Sequence, residues 1–180
     1  SYNKLTHHSF VYCMRIGLVG GSFNPIHSGH IAIGKWMLEH KRLDEVWFMV
    51  SPQNPLKVNN ALPDAEERYH LVEQALADEP RLIAKDYELS LPQPSYTWTT
   101  LQHLKADYPN DEFILIVGGD NWKRLERWRH WKDIVWQYEI GTYPRNGEIP
   151  ISSTMIREML AQGADISPFV PKAVAQRYCR

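Results

Sequence analysis

Two histidines, His27 and His30, lie three residues apart in the run 21–30, which reads GSFNPIHSGH. The apolar stretch Ile16–Val19 before this run is typical of a buried strand, and Ile31–Leu38 after it indicates a helix. The run is therefore predicted to be a strand–loop–helix junction, where backbone N–H groups and the positive end of the helix dipole attract anions. Both imidazoles are expected on one face of the first helical turn, where each can donate a hydrogen bond. This combination predicts a site for a nucleoside triphosphate.

The junction differs from the common phosphate and metal motifs. A Walker-type loop needs Gly-Lys-Ser/Thr after its glycines, but Pro25, Ile26 and His27 stand there. The neighbouring glycines also lack the G-x-G-x-x-G spacing of a dinucleotide fingerprint. A metalloprotease helix places its histidines four residues apart with a glutamate between them, so His27 and His30 do not favour a zinc site. The sequence thus predicts an anion site built on histidine.

The composition favours a globular protein and argues against a membrane-spanning or nucleic-acid-binding one. The chain has 180 residues, 43% of them hydrophobic and 23% charged, which favours a single domain with its own core. The formal net charge of −1 provides no basic field to attract nucleic acid or an anionic membrane. Every apolar run is shorter than the roughly 18 residues that a membrane span needs. Cys13 and Cys179 are expected to be unpaired thiols in a reducing cytoplasm, with a bond between the two ends of the chain as the alternative.

The first residues are expected to lie outside the folded unit. Residues 1–13 match no periodic pattern, and Met14 stands directly before the first predicted strand. We therefore expect 1–13 to be a leader or an extension, either disordered or introduced by cloning. Residues 14–180 are expected to form a single domain.

Strands and helices alternate along that domain. Strands are predicted at 16–20, 46–50, 82–89, 113–117 and 138–142. Helices are predicted at 27–40, 64–77, 95–104, 152–162 and 171–178, and the segment 121–136 is predicted to be mostly helical. Asp64, followed three residues later by Glu67, is typical of a capping box. The alternation predicts a Rossmann-like α/β fold with a doubly wound parallel sheet and closing C-terminal helices, which binds ligands at the carboxyl ends of its strands.

A second motif, Ile151–Arg157 (ISSTMIR), stands near the other end of the chain. It and the run 21–30 resemble the two end motifs of the nucleotidyltransferase superfamily, I-S-S-T-x-[IV]-R and G-[ST]-F-[DN]-P-x-H-x-G-H. Between them, 51–57 (SPQNPLK), 95–101 (SYTWTTL) and 117–128 (VGGDNWKRLERW) resemble motifs of the bacterial nicotinate-nucleotide adenylyltransferase family. The resemblance covers about Met14 to the C-terminus.

Some positions depart from the family pattern. Asn24 stands where many bacterial members have aspartate, and Thr99 stands where an acidic residue is usual. The segment between Arg145 and Ile151 is also shorter than in the family. Either this member has a naturally short connection at this point or the sequence lacks a loop there.

The resemblance implies the HxGH nucleotidyltransferase fold and adenylyl transfer from ATP to nicotinate mononucleotide, giving deamido-NAD and pyrophosphate in NAD biosynthesis. Direct displacement is expected, because such transfers need alignment and positive charge more than covalent help. Mg²⁺ is expected to accompany ATP, held mainly by phosphates and water. The alternatives are nicotinamide mononucleotide or phosphopantetheine as acceptor, or a non-catalytic nucleotide sensor on the same fold. A homo-oligomer is compatible with the sequence.

The resemblance also implies three groups of site residues. Those expected to act on the phosphates in catalysis are His27, His30, Lys57 and Arg157. Those expected to bind ATP are Gly20, Gly21, Ser22, Phe23, Asn24, Ile26, Gly29, Gly118, Asp120, Ile151, Ser152, Ser153 and Thr154. Those expected to bind the mononucleotide are Tyr96, Thr97, Trp128 and Asn54, with Trp128 stacked on the pyridine ring.

Overall fold

Five parallel strands form one sheet in the computed structural model, which describes residues 12–52, 62–118, 122–143 and 151–179. The strands are β1 (Arg15–Gly21), β2 (Glu45–Val50), β3 (Leu82–Lys85), β4 (Glu112–Gly118) and β5 (Glu139–Tyr143). Their order is β3-β2-β1-β4-β5, and every neighbouring pair is parallel. The chain therefore builds outward from β1 in one direction and then returns to build in the other. This topology confirms the predicted doubly wound sheet and places its switch point between β1 and β4.

Helices cover both faces of this sheet. Among the described residues the α-helices are α1 (Ser28–His40), α2 (Ala65–Ala75), α3 (Thr97–Asp107), α4 (Trp131–Gln137), α5 (Ser153–Ala161) and α6 (Lys172–Tyr178). Short 3₁₀ helices lie at Tyr87–Ser90, Leu125–Arg127 and Ser167–Phe169. One core joins α1, α2, α5 and α6 to one face of the sheet, and a second core joins α3 and α4 to the other.

The centre of the sheet is closely packed. Phe113–Val117 of β4 is buried along its whole length, as its unbroken apolar composition predicts for a strand covered on both faces. In the adjacent β1, a Cβ at Gly17 would lie 2.7 Å from Ile116 Cδ1 and 2.8 Å from Leu43 Cδ1. A side chain at Gly17 would therefore force the ends of the Ile116 and Leu43 side chains to shift, whereas a Cβ at Gly20, near the end of β1, meets nothing within 4 Å.

The predicted strand 82–89 is wrong in its second half. β3 ends at Lys85, and Tyr87–Ser90 forms a 3₁₀ helix. β3 lies at the edge of the sheet and pairs only with β2, up to the pair Met49–Lys85, and β2 itself ends at Val50. Beyond Lys85 the chain has no strand to pair with, so it turns.

The segment 121–136, predicted to be mostly helical, is helical with one break in its described part, 122–136. Trp122, Lys123 and the 3₁₀ turn Leu125–Arg127 come first, and the chain then becomes extended at Trp128, with ψ 141°, and left-handed at His130, with φ 58°. α4 begins after this break. The side chain of Trp128 packs against the core beside α3, and the break is what brings it there.

The capping box predicted at α2 is absent. Asp64 is the N-cap, but its side chain makes no capping hydrogen bond. Its carboxylate instead stabilises the charge of Arg68, whose guanidinium is buried one turn further along the helix.

Several expectations concern the ends of the chain and the loops. Cys13 and Cys179 are both exposed and free, which confirms the prediction of unpaired thiols. Within the described ranges, no helix combines the length and apolar character that a membrane crossing requires. The predicted leader, apart from Tyr12 and Cys13, lies outside the described residues, and so does the short link after Tyr143.

Candidate active site

The two motif histidines bind each other's backbone at the start of α1. His27 is the N-cap in an extended conformation, and its Nδ1 accepts a hydrogen bond from the Gly29 N–H at 3.1 Å. The Nδ1 of His30 accepts a hydrogen bond from the His27 N–H at 3.1 Å. This reciprocal arrangement is a capping box in which imidazoles take the place of the usual hydroxyl and carboxylate.

The capping box determines the protonation state of both rings. Because each Nδ1 accepts from a backbone N–H, the ring proton of each histidine is on Nε2. Burial lowers the pKa of His27 to about 4. Burial, together with repulsion from His27, lowers the pKa of His30 to about 3. At neutral pH both imidazoles are therefore uncharged and offer Nε2–H as a hydrogen-bond donor.

Aromatic packing holds the two rings in place. The imidazoles of His27 and His30 stack with centroids 3.7 Å apart, and Phe23 meets His30 edge-on at 5.0 Å. Phe23 is buried beneath the loop and has a left-handed backbone, with φ 46°. Gly29 is needed beside them, because a Cβ there would lie 3.0 Å from two atoms of the His27 ring. The histidine donors are thus preorganised by the fold.

The second motif meets the first through direct hydrogen bonds. Ser153 Oγ donates to the Pro25 carbonyl at 2.9 Å, and Arg157 Nη1 donates to the Asn24 carbonyl at 2.7 Å. Ser152 is the N-cap of α5, and its Oγ accepts a hydrogen bond from the Met155 N–H at 3.1 Å. The N-termini of α1 and α5 are therefore joined side by side, and both present the positive ends of their dipoles.

A cavity of about 250 Å³ opens beside this pair of helix ends, at the carboxyl edge of the sheet. Its floor comes from the ends of β1, β2 and β4, and one wall comes from the segment that begins α3. Its described lining residues are Leu18, Gly20, Gly21, Met49, Ser51, Glu88, Ser95, Thr97, Thr100, Leu101, Leu115, Ile116, Val117 and Trp128. Gly20 and Gly21 belong to this floor and directly precede the loop that leads to His27, so the cavity lies next to that loop.

The cavity brings together Thr97 and Trp128, which lie in separate motifs of the sequence. Tyr96 is not among its described lining residues and packs instead under the guanidinium of Arg129, with 4.3 Å between Cζ and the ring centroid. On the histidine side, Ile26 is completely buried and exposes no surface to a ligand in this structure. Lys57, Asp120 and Asn54 lie outside the described residues.

Glu88 is a cavity residue that the sequence reasoning missed. It was assigned to a strand, but the 3₁₀ turn after β3 directs this part of the chain along the cavity. Thr100 Oγ1 donates to Glu88 Oε1 at 3.2 Å. Burial raises the pKa of the carboxyl, against the smaller opposite effect of the Thr100 hydrogen bond. A single glutamate within a predicted strand does not indicate in the sequence that its side chain lines a cavity.

Arg68 is a second missed residue, and it links the ends of two strands. Its Nη1 donates to the carbonyls of Ser22 and Ser51, at 2.6 and 2.9 Å, and its Nε donates to the Pro63 carbonyl at 3.0 Å. The guanidinium is buried, and its Nη2 makes no hydrogen bond within the described part of the chain. Arg68 thus holds the carboxyl ends of β1 and β2 together beneath the site. An arginine in a polar helix is ordinarily read as exposed.

The residues around the two helix ends are donors rather than metal ligands. Imidazole N–H groups, hydroxyls and a guanidinium suit phosphate oxygens, whereas Mg²⁺ prefers oxygen ligands such as carboxylates, phosphates and water. Among the residues that the structure describes, no group of three His, Cys, Asp or Glu side chains could hold a metal ion.

Comparison with known proteins places this site in a family. The cytidylyltransferase-like family model matches residues 18–159. A probable nicotinate-nucleotide adenylyltransferase of Bacteroides fragilis is 44% identical over 181 residues, covering 91% of this chain and 90% of the relative. Another, from Flavobacterium johnsoniae, is 41% identical over 181 residues and covers 89% of this chain and 94% of the relative. The chain belongs to the nicotinate-nucleotide adenylyltransferase family.

The fold of this adenylyltransferase family member also matches solved structures. Plasmodium falciparum nicotinic acid mononucleotide adenylyltransferase, complexed with NaAD, superposes with a TM-score of 0.73 at 17% identity. The match covers 92% of this chain and 94% of that one. The nucleotidyltransferase fold is therefore shared even where few residues are identical.

Proposed function

We propose that this protein transfers the adenylyl group of ATP to nicotinate mononucleotide, giving deamido-NAD and pyrophosphate in NAD biosynthesis. The observation that carries the proposal is the meeting of two distant motifs. The N-termini of α1 and α5 are joined through Ser153 and Arg157, directly beside a cavity at the switch point of the sheet. The names of the relatives at 41% and 44% identity support the same reaction.

In this reaction a phosphate oxygen of the mononucleotide attacks the α-phosphorus of ATP. A new P–O bond forms as the bond between the α-phosphorus and the bridging oxygen to the β-phosphate breaks, and pyrophosphate leaves with the bonding electrons. Negative charge then develops on oxygens of the α- and β-phosphates. The Nε2–H groups of His27 and His30 would donate to these oxygens. Because both rings are uncharged with low pKa values, they act as preorganised hydrogen-bond donors.

The start of α5 supplies a second set of groups for the triphosphate. The hydroxyls of Ser152 and Thr154 stand at its N-terminus, where the dipole favours phosphate. Arg157 is oriented by the Asn24 carbonyl and by Thr154 Oγ1, and its fixed positive charge would bind a phosphate. Beyond the described residues, we propose Lys57 as a cation for the β- and γ-phosphates and Asp120 as an acceptor for a ribose hydroxyl. ATP would enter as its Mg²⁺ complex, with the ion carried by phosphates and water.

The cavity would hold the mononucleotide. The indole of Trp128 is half-buried in its wall and offers a face on which the pyridine ring can stack. Thr97 begins α3 in the same wall, so its backbone N–H lies at a helix N-terminus, which suits the nicotinate carboxylate. Tyr96 would contribute through its backbone, and Asn54, which lies outside the described residues, is proposed to bind the mononucleotide.

The test is a pyrophosphate-release assay with Mg²⁺–ATP and four conditions. The acceptors are nicotinate mononucleotide, nicotinamide mononucleotide and phosphopantetheine, with buffer as the blank. We expect the highest kcat/KM with nicotinate mononucleotide. Turnover of phosphopantetheine alone would assign the protein to a different acceptor. ATP binding without turnover of any acceptor would indicate a nucleotide sensor.

A further inference from the structure

Glu88 places a carboxylate in the wall of the cavity, and no described lining residue carries a matching positive charge. Thr100 provides a hydrogen bond to Oε1, and this is the one hydrogen bond to the carboxylate among the described residues. Within the same part of the chain, Glu88 forms no salt bridge with an Arg, Lys or His side chain. Its second oxygen, Oε2, is therefore available to a ligand.

The surroundings make this charge unfavourable in the empty cavity. The other described lining side chains are apolar or carry hydroxyls, so Glu88 is the one acidic or basic side chain among them. Burial raises the pKa of Glu88, which reports that its negative charge is poorly solvated. A cation in the cavity would relieve this cost, whereas a phosphate or carboxylate beside Glu88 would increase it.

Trp128 lines the same cavity and favours the same kind of ligand. The face of an indole attracts cations through its quadrupole, and it also stacks on flat rings. A carboxylate and an indole face in one cavity therefore suit a flat ring that carries positive charge. The ring of a pyridine mononucleotide is such a group, because its nitrogen is quaternary.

We propose that Glu88, together with Trp128, recognises the positive charge of the pyridinium ring and thereby selects acceptors with a cationic ring over those with a neutral ring. The inference rests on the proposed function and adds a residue that determines specificity to it.

The experiment compares two acceptors that differ in ring charge. Nicotinate mononucleotide has a cationic ring, and its 1,4-dihydro derivative has a neutral ring with the same ribose, phosphate and carboxylate. The ratio of their kcat/KM values is measured with Mg²⁺–ATP for the wild type, Glu88→Gln and the control Asp86→Asn. Asp86 is an exposed acidic residue two positions earlier, outside the described lining of the cavity. Melting temperature and the KM for ATP check that each variant is folded.

We expect Glu88→Gln to lower kcat/KM for the cationic acceptor by about tenfold, as for loss of an ion pair in a partly buried site. The neutral acceptor should change little, so the selectivity ratio should fall by a similar factor, and Asp86→Asn should leave the ratio unchanged. An equal loss for both acceptors would instead make Glu88 a ribose-hydroxyl acceptor and overturn the proposal, as would an unchanged ratio. If the wild type turns over neither acceptor, the proposed function itself is wrong. The wild-type measurement alone therefore separates failure of the proposed function from failure of the Glu88 proposal.

Discussion

Replacement of His27 by asparagine should change how the stability of the protein depends on pH. Asparagine is among the best N-cap residues, so its side chain can still accept from the Gly29 N–H and α1 should form normally. What the variant loses is a buried group that can take up a proton. The same change removes the Nε2–H donor, so at neutral pH we expect kcat to fall on the order of 10²-fold in a folded protein.

The size of the stability effect follows from the pKa of His27. In the unfolded chain the imidazole titrates near 6.5, and in the folded protein its pKa is about 4. Between these values the unfolded state binds the proton and the folded state does not, so wild-type stability is lost as the pH falls from 6.5 toward 4. Each pH unit is worth about 1.4 kcal/mol, so the full loss approaches about 3 kcal/mol. His27 is only 5% exposed, so solvent screening reduces this figure little.

Denaturant unfolding at pH 7.5, 6.5, 5.5 and 4.5 measures this effect. The free energy of unfolding of His27→Asn minus that of the wild type reports the contribution of His27 together with its repulsion of His30, because the other titrating groups are common to both proteins. This difference should be constant above pH 6.5 and should rise in favour of the variant below it. His70→Asn is measured alongside as the same replacement at an exposed histidine of α2. Parallel curves for His27→Asn and the wild type would refute the argument that His27 is buried and uncharged.

Three further outcomes are expected. His30→Ala should lower kcat on the order of 10²-fold, measured by pyrophosphate release; a change in KM alone would assign His30 to uniform substrate binding. Gly20→Ala should have the melting temperature of the wild type, because a Cβ there meets nothing within 4 Å. It should raise a substrate KM several-fold, on the order of 1 kcal/mol. Unchanged KM values would mean that bound substrates do not contact Gly20. Trp128→Ala should raise the KM for the mononucleotide more than that for ATP, and equal effects would make Trp128 a core residue.

Local patterns were sufficient for most of the fold. β4 was predicted because an unbroken apolar run requires burial on both faces, and α1 and α5 were predicted from the residues that begin them. The errors occurred where partners in space decide the structure. Lys85 ends β3 because β2 ends beside it, and the Trp128 segment leaves the helix because its indole packs into the core. Neither neighbour can be read from the residues themselves.

The residues of the candidate site also fall into those that the sequence identifies and those that only the folded structure reveals. Its histidines were identified from their spacing at a strand–loop–helix junction, and the ISST segment was identified from its resemblance to a family motif. Both motifs belong to local structures. Glu88 and Arg68 were missed, because a carboxylate after an edge strand and an arginine in a polar helix are ordinarily solvated. Their importance comes from what the fold places against them: Thr100 and the cavity for Glu88, and the Ser22 and Ser51 carbonyls for Arg68.

The amino-acid sequence by itself determined the alternation of strands and helices, the two end motifs and the donor chemistry of the site, because these depend on neighbours within a few turns of chain. The tertiary structure decided how that chemistry is used. It joined Ser153 to Pro25 across 128 residues, and it placed the cavity between elements that are distant in the chain. It also buried His27 and His30 so that both remain uncharged. Burial and long-range contact arise only when the chain has folded, and they turn a pair of histidines into aligned donors.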